Sequence, residues 1–307
     1  TIIADFLKVL RERGKSEWIY LLKGKVIADY DPREIGISEQ LAIKAIAKSF
    51  GVNSEEIVKK FRKIGDLGDI AFEFSEKNRQ STLFNKRLSV GKVFDNLIKI
   101  MEIEGNGAID RKIALVSELL GSASEKEARY IVRTLLGDLR VGVPDGIIRD
   151  AITETFFESK KNEVAGKVEE VYDLTNDFAL VFDSAAKGEK ELEKIDILPG
   201  RPINVMLAVK VKDIEEAFEV CGKPAAIEHK YDGFRMIISK EKNEDIKLFT
   251  RRLENVTKQF PDIVEVVKDN IKGYSFVLDC EVVGYDKQTG RYKPFEAISQ
   301  RIKRKYD

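Results

Sequence analysis

The sequence predicts a two-domain chain of the α and α+β kind: an all-helical domain over residues 1–195, then a mixed, mainly antiparallel domain over 196–307. Three observations carry that reading. Before residue 195, apolar residues recur at helical spacing and are punctuated by helix caps. From Ile195 to Ile203 the run Ile-Asp-Ile-Leu-Pro-Gly-Arg-Pro-Ile crowds two prolines and a glycine together, the texture of an extended linker. Beyond it the period shortens to the two-residue alternation of strands.

The elements follow in order. Ile2, Ile3, Phe6, Leu7 and Leu10 make one helical face. Leu41, Ile43, Ala45 and Ile46 lead to Gly51, a helix stop. Ser54 stands as an N-cap before Glu55 and Glu56, which suit the first turn of a helix. Ile113, Val116, Leu119 and Leu120 end at Gly121. Ser124 opens the next helix, with Glu127 three residues on as a capping box. That helix carries Tyr130, Ile131, Leu135 and Leu136. Past the linker, Ala225 to His229 read as a strand, Asp232-Gly233 as a tight turn, and Arg235 to Ser239 as the returning strand. Ile246 to Thr250 is a further strand. Pro261 opens a helix with Ile263, Val266, Val267 and Ile271 on one face. Phe276, Leu278, Cys280 and Val282 alternate with Val277, Asp279, Glu281 and Val283.

Composition excludes several chemistries. Of the 307 residues 43% are hydrophobic, enough for sizeable cores, and the formal net charge is zero. Any polyanion surface must therefore come from local clusters. Cys221 and Cys280 are too few for a disulfide framework or a zinc site. With His229 as the single histidine, histidine-based metal sites and Ser-His-Asp hydrolysis are set aside. Strand alternation turns His229 away from Lys230 and makes it structural. There is no apolar run of about 18 residues and no basic-then-apolar leader, so neither a membrane helix nor a signal peptide is expected. Two isolated cysteines suit the cytoplasm, and a monomer is expected. The start at Thr1, already in a helical pattern, and the stop in Gln300–Asp307 are expected of part of a longer chain.

Chemistry concentrates in Glu228-His-Lys-Tyr-Asp-Gly-Phe-Arg235. A lysine beside a tight turn, with an arginine across from it, can point into a cleft. An amine attacks only when deprotonated, a form that a nearby cation or metal ion favours. Read locally, the same residues also describe an ordinary β-hairpin with a surface lysine. Two downstream segments change the balance. Thr250-Arg-Arg-Leu-Glu-Asn-Val-Thr257 supplies Arg251 and Arg252, of which only one is expected in the site. Val277-Leu-Asp-Cys-Glu-Val-Val283 supplies Asp279 and Glu281 on one strand face, either of which can be a ligand.

The Lys230–Arg235 segment resembles the Lys-x-Asp-Gly-x-Arg motif of the covalent nucleotidyltransferases, and the two later segments resemble that superfamily's next motifs in the same order. The resemblance implies that Lys230 takes AMP from ATP. It implies that Glu228 lies against the adenine, that Arg235 and Arg251 contact the ribose and phosphates, and that Glu281 contacts the ribose and organises Mg²⁺. Arg129-Tyr-Ile-Val-Arg-Thr-Leu-Leu-Gly-Asp-Leu-Arg-Val-Gly142 is similar to the helical DNA-binding domain of archaeal and eukaryotic ATP-dependent DNA ligases. Pro199-Gly-Arg-Pro-Ile-Asn-Val-Met-Leu-Ala208 is similar to their linker, with Val205 where proline is usual. The implied activity is nick sealing in duplex DNA, with Arg140 and Gly142 as DNA contacts. Arg79-Gln-Ser-Thr-Leu-Phe-Asn85 resembles a sliding-clamp-binding peptide with Gln80, Leu83 and Phe84 as anchors. Two other readings share these residues: an RNA ligase or capping-type enzyme, and a DNA- and clamp-binding piece without activity. The later nucleotide motifs and the OB-fold domain of the family are expected beyond residue 307, so the 307 residues alone are expected not to seal nicks.

One expectation is directly measurable. Residues 1–195 alone should bind nicked duplex with weak sequence preference, and log affinity should fall linearly with log salt concentration. Arg140→Ala should weaken binding on any sequence. A salt-independent signal would contradict the domain reading.

Overall fold

Caps and apolar spacing decide where helices begin and end in the first part of the chain. The computed structural model describes residues 1–79, 88–205 and 208–302. It divides into two units: Thr1–Tyr172 with Asp177–Lys194, and Asp173–Asn176 with Ile195 onward. Gln80, Leu83 and Phe84 lie outside the described residues.

Every regular element described in the first unit is a helix. After α1 (Ile2–Arg13) comes a 3-10 helix, Ser16–Lys23. Then follow α2 (Glu39–Phe50), α3 (Ser54–Ile64), α4 (Leu67–Arg79), α5 (Val90–Glu102), α6 (Ala108–Ser122) and α7 (Glu125–Leu135). They are succeeded by α8 (Asp145–Phe157), α9 (Lys161–Thr175), α10 (Phe178–Lys187) and α11 (Glu189–Glu193). Ile46, Ile57, Ile70, Leu97, Ile100, Leu119 and Val132 interlock in one core. Burying such a side chain contributes about 1.5–3 kcal/mol.

The expected boundaries need two corrections. Asn53, not Ser54, caps α3, its side-chain oxygen accepting the Glu55 N–H at 2.9 Å. Helix α6 does not stop at Gly121 but runs to Ser122, because Gly121 keeps negative φ and the chain turns extended only at Ala123. The capping box is present: Ser124 Oγ accepts from Glu127 N–H, and the Glu127 carboxylate accepts from Ser124 N–H at 2.7 Å. No described helix is long and apolar enough to cross a membrane.

Polar burial in this unit is paired. Asp66, 4% exposed, begins the corner into α4. Its carboxylate accepts from Arg133 Nη2 at 2.6 Å and from the Gly68 N–H at 2.8 Å. Burial alone would raise the Asp66 carboxyl, but the Arg133 and Gly68 hydrogen bonds outweigh it and hold it below its ordinary value.

The second unit is built on a three-stranded antiparallel sheet in the order β2-β1-β3, with β1 Phe234–Lys240, β2 Ile246–Thr250 and β3 Phe276–Val282. Phe234, Met236 and Ile238 of β1 point to one face. There they meet Ile246 and Leu248, Phe260 and Val267, and the half-buried Leu278, Cys280 and Val282. Helix α12 (Ile214–Cys221) precedes the sheet, and α13 (Pro261–Asn270) lies between β2 and β3. Val267 is its buried residue, whereas Val266 is 58% exposed and belongs to the opposite face. A short hairpin, β4 Gly284–Tyr285 with β5 Tyr292–Lys293, and helix α14 (Glu296–Ile302) follow.

The strand expected at Ala225–His229 is absent. Central strand β1 pairs through one edge with β2 and through the other with β3, so neither edge is left for a hairpin partner at 225–229. His229 is accordingly exposed and not held by strand alternation.

Arg133→Met should destabilise the first unit by about 3 kcal/mol near neutral pH, because it leaves a buried carboxylate without its hydrogen-bonded cation and with only Arg140 at 3.6 Å. A depressed carboxyl stabilises above its unfolded pKa and loses that contribution as pH falls through the folded one. The gap between variant and parent in thermal unfolding should therefore narrow as the pH drops past about 4. A pH-independent gap would rule out the ion pair as its source.

Candidate active site

Strand alternation aims β1 in two directions. With Phe234, Met236 and Ile238 committed to the core, Arg235 must project from the other face. Its cross-strand partner in register is Glu281, and Asp279 stands two pairs further along on the same face, opposite Ile237. The Arg235 guanidinium takes the diagonal neighbour: Nε donates to Asp279 Oδ1 at 2.9 Å, and Nη2 also binds that carboxylate. This hydrogen-bonded pairing raises the Arg235 pKa further. It also separates two carboxylates that strand position alone left equivalent. Asp279 is engaged by Arg235, while Glu281 lines an open cavity and has no hydrogen-bond partner among the described residues.

That cavity, about 1310 Å³, is formed within the second unit. Lys230, Arg235, Arg251 and Glu281 all line it. Lys230 lies in the exposed stretch ahead of β1, fastened by its neighbours in two ways. The Asp232 carboxylate accepts the Phe295 N–H at 3.3 Å, linking the stretch to the start of α14. Gly233 packs so tightly on the end of β3 that a Cβ there would sit 2.2 Å from the Val282 carbonyl oxygen. The glycine is required by this close approach and not by a left-handed turn.

The arginines arrive on the turn that follows β2. The Leu253 N–H donates to the Thr250 carbonyl at 2.9 Å, the Arg252 N–H donates to Thr250 Oγ1 at 3.2 Å, and Leu253 adopts φ 65°. This tight loop presents Arg251 and Arg252 together, and both line the cavity. The sequence reading admitted one of them; a shared turn delivers two. Lys230, Arg251 and Arg252 have no ion-pair partner among the described residues. A cavity holding three such cations suits a polyphosphate, for which charge-assisted hydrogen bonds are strong.

Glu228 is exposed and is not among the residues lining this cavity. Asp232, Arg252, Glu254 and Phe295, which do line it, were not singled out from sequence as site residues. For Asp232 the signal was present but was read only as a turn. For Phe295 there was no local pattern, since α14 reaches the cavity through tertiary packing.

In the first unit, Arg140 lies on the turn between α7 and α8. It adopts φ 53°, in the left-handed region. Its guanidinium donates to the Gly65 carbonyl at 2.7 Å and to Asp138 at 2.9 Å, and stands 3.6 Å from Asp66. Its side chain remains 44% exposed. Gly142 is exposed, with open space where a Cβ would be.

Two family matches cover most of the chain. Residues 1–153 match the family described as DNA ligase N terminus, and residues 205–307 match that described as ATP dependent DNA ligase domain. Among curated proteins, a DNA ligase of Nanoarchaeum equitans is 44% identical over 306 residues, covering 99% of this chain and 53% of that protein. A DNA ligase of Methanopyrus kandleri is 40% identical over 309 residues, covering 100% of this chain and 54% of that protein. For a DNA ligase of Methanocaldococcus jannaschii the identity is 38% over 305 residues, covering 98% and 52% respectively. The chain thus spans about half the length of these relatives.

Gly233→Ala should disturb the stretch that carries Lys230, since the new methyl meets backbone rather than a yielding side chain. The expected cost is about 1–3 kcal/mol in chemical unfolding of the second unit, with loss of nucleotide binding by calorimetry. Parental stability and binding would show that the contact is not limiting.

Proposed function

The chain belongs to the ATP-dependent DNA ligase family, and from that premise we propose that the protein seals nicks in duplex DNA through AMP carried on Lys230. The observation that carries this reading is the convergence of Lys230, Arg235, Arg251 and Glu281 on one cavity of the second unit. The Lys230 amine attacks the α-phosphorus of ATP. A nitrogen–phosphorus bond forms, the bond to the bridging oxygen breaks, pyrophosphate leaves and the amine loses a proton. The 5′-phosphate at the nick then attacks the same phosphorus, restoring the lysine. Finally the 3′-hydroxyl attacks the activated 5′-phosphate and AMP departs.

Each residue has a physical task in that sequence. Arg251 and Arg252 line the cavity, and their side chains have no ion-pair partner among the described residues, so they are available to phosphate oxygens. Arg235 is oriented by Asp279 and is assigned to the ribose and phosphates on the strength of the motif. Glu228 is assigned to the adenine on the strength of the motif. Among the described residues no cluster of three or more acidic, cysteine or histidine side chains could hold a metal. Glu281 alone nevertheless fits Mg²⁺, which usually keeps its waters and takes one or two carboxylates plus substrate phosphates. The metal would neutralise charge building on those phosphates.

The first unit is proposed to hold the duplex, with Arg140 and Gly142 on the turn before α8 as backbone contacts. Domain limits of 1–195 and 196–307 are proposed accordingly. A sliding-clamp partner, binding Gln80, Leu83 and Phe84, rests on the sequence of that segment alone. A monomer working in the cytoplasm completes the proposal.

In the full-length protein, Lys230→Ala should abolish AMP labelling from ATP, and Lys230→Arg should fail equally, because a guanidinium stays protonated. Labelled ATP followed by denaturing electrophoresis reads the outcome. Normal labelling of either variant would sink the assignment.

A further inference from the structure

Beyond the cavity, the second unit carries an exposed aromatic surface that the adenylation chemistry does not use. Tyr285 and Tyr292 are a cross-strand pair in the β4–β5 hairpin, with ring centroids 6.1 Å apart. Tyr231, next in sequence to Lys230, sets its ring edge-on to Tyr292 at 5.5 Å. The three rings are 44%, 56% and 63% exposed for Tyr231, Tyr285 and Tyr292, so they form one patch open to solvent and not a core. Isolated exposed tyrosines need no explanation, but three in contact, beside the nucleophile, do.

The charges around the patch select its partner. The hairpin carries Lys287, Arg291 and Lys293 against one carboxylate, Asp286. That carboxylate is consumed inside the turn, accepting the N–H groups of Gln288 at 2.9 Å and Thr289 at 3.0 Å and standing 3.7 Å from Lys293. These backbone hydrogen bonds hold its pKa below the usual range. Lys287 and Arg291 are exposed and have no ion-pair partner among the described residues. Unpaired cations flanking amphipathic rings match a strand that alternates sugar faces with phosphates.

We propose that Tyr231, Tyr285 and Tyr292, with Lys287 and Arg291, form a docking surface for the sugar–phosphate backbone of the nicked duplex next to Lys230. The rings lie against deoxyribose, tyrosine hydroxyls and the two cations reach phosphates, and the nick is thereby held beside the nucleophile. This inference rests on the nick-sealing reading.

The test is fluorescence anisotropy of a labelled nicked duplex titrated with the 307-residue chain over a range of salt concentrations. Tyr285→Ala with Tyr292→Ala should weaken binding by about tenfold or more and leave the salt slope unchanged. Lys287→Gln with Arg291→Gln should reduce the slope of log affinity against log salt by about two. If the ring variant fails to fold, the charge variant decides alone. Parental affinity and slope in both variants, while the parent binds, would overturn the surface and leave nick sealing intact. No binding by the parent would overturn the surface, while nick sealing would still be judged by AMP labelling of the full-length protein.

Discussion

Both hydrogen-bonding edges of β1 are occupied, and this single constraint organises the second unit. Because β2 and β3 satisfy the strand on either side, the residues ahead of it cannot join the sheet and must stay outside as an open stretch. Lys230 belongs to that stretch. Because β1 alternates, the same pairing sends Met236 and Ile238 into the core and Arg235 out of it. The pair-by-pair register then sets Glu281 opposite Arg235 and Asp279 opposite Ile237. A slip of one residue would bury the arginine and both carboxylates and expose the apolar set, so the core enforces the geometry of the site.

The first unit is organised differently, by partly buried charges that join elements distant in sequence. Tyr172 donates from one hydroxyl lying 2.9 Å from Asp29 and 3.0 Å from Asp145, while Lys23 reaches Asp145 at 2.7 Å. Burial alone would raise the Asp29 carboxyl, yet hydrogen bonds from Lys23 and Lys25 outweigh it and keep its pKa low. Burial pushes the Tyr172 phenol strongly upward, and the neighbouring carboxylates add to that, so it remains a donor. Asp145 opens α8, and Asp66 holds Arg133 and lies near Arg140. The turn from 136 to 144 is thus tethered at both ends by ionic contacts. Such networks specify one arrangement because leaving any member unpaired is costly.

Much of this was legible in the sequence, for identifiable reasons. Ser124 with Glu127, Gly51, and the alternation of Phe276 to Val282 are local signals, and local signals report local structure. Ile246–Thr250 was bounded correctly because an apolar strand met a turn on either side. The strand at 225–229 failed because pairing partners are a tertiary matter. Asp232-Gly233 looked like a hairpin turn, whereas Gly233 is small in order to pass the Val282 carbonyl. Strand position left Asp279 and Glu281 equivalent and only the resemblance favoured Glu281; that Arg235 engages Asp279 is a matter of side-chain reach across the sheet. The pairing of Arg251 with Arg252 depended on a left-handed Leu253 that no propensity announces.

The central claim is that Lys230, and no other lysine, carries the nucleotide. The most direct measurement is peptide mapping by mass spectrometry after incubating the full-length protein with ATP and Mg²⁺ in the absence of DNA. The account predicts one AMP-bearing peptide, spanning Lys230, with the acid lability of a nitrogen–phosphorus bond. An adduct on any other residue, or an acid-stable ester on a hydroxyl side chain, would contradict it.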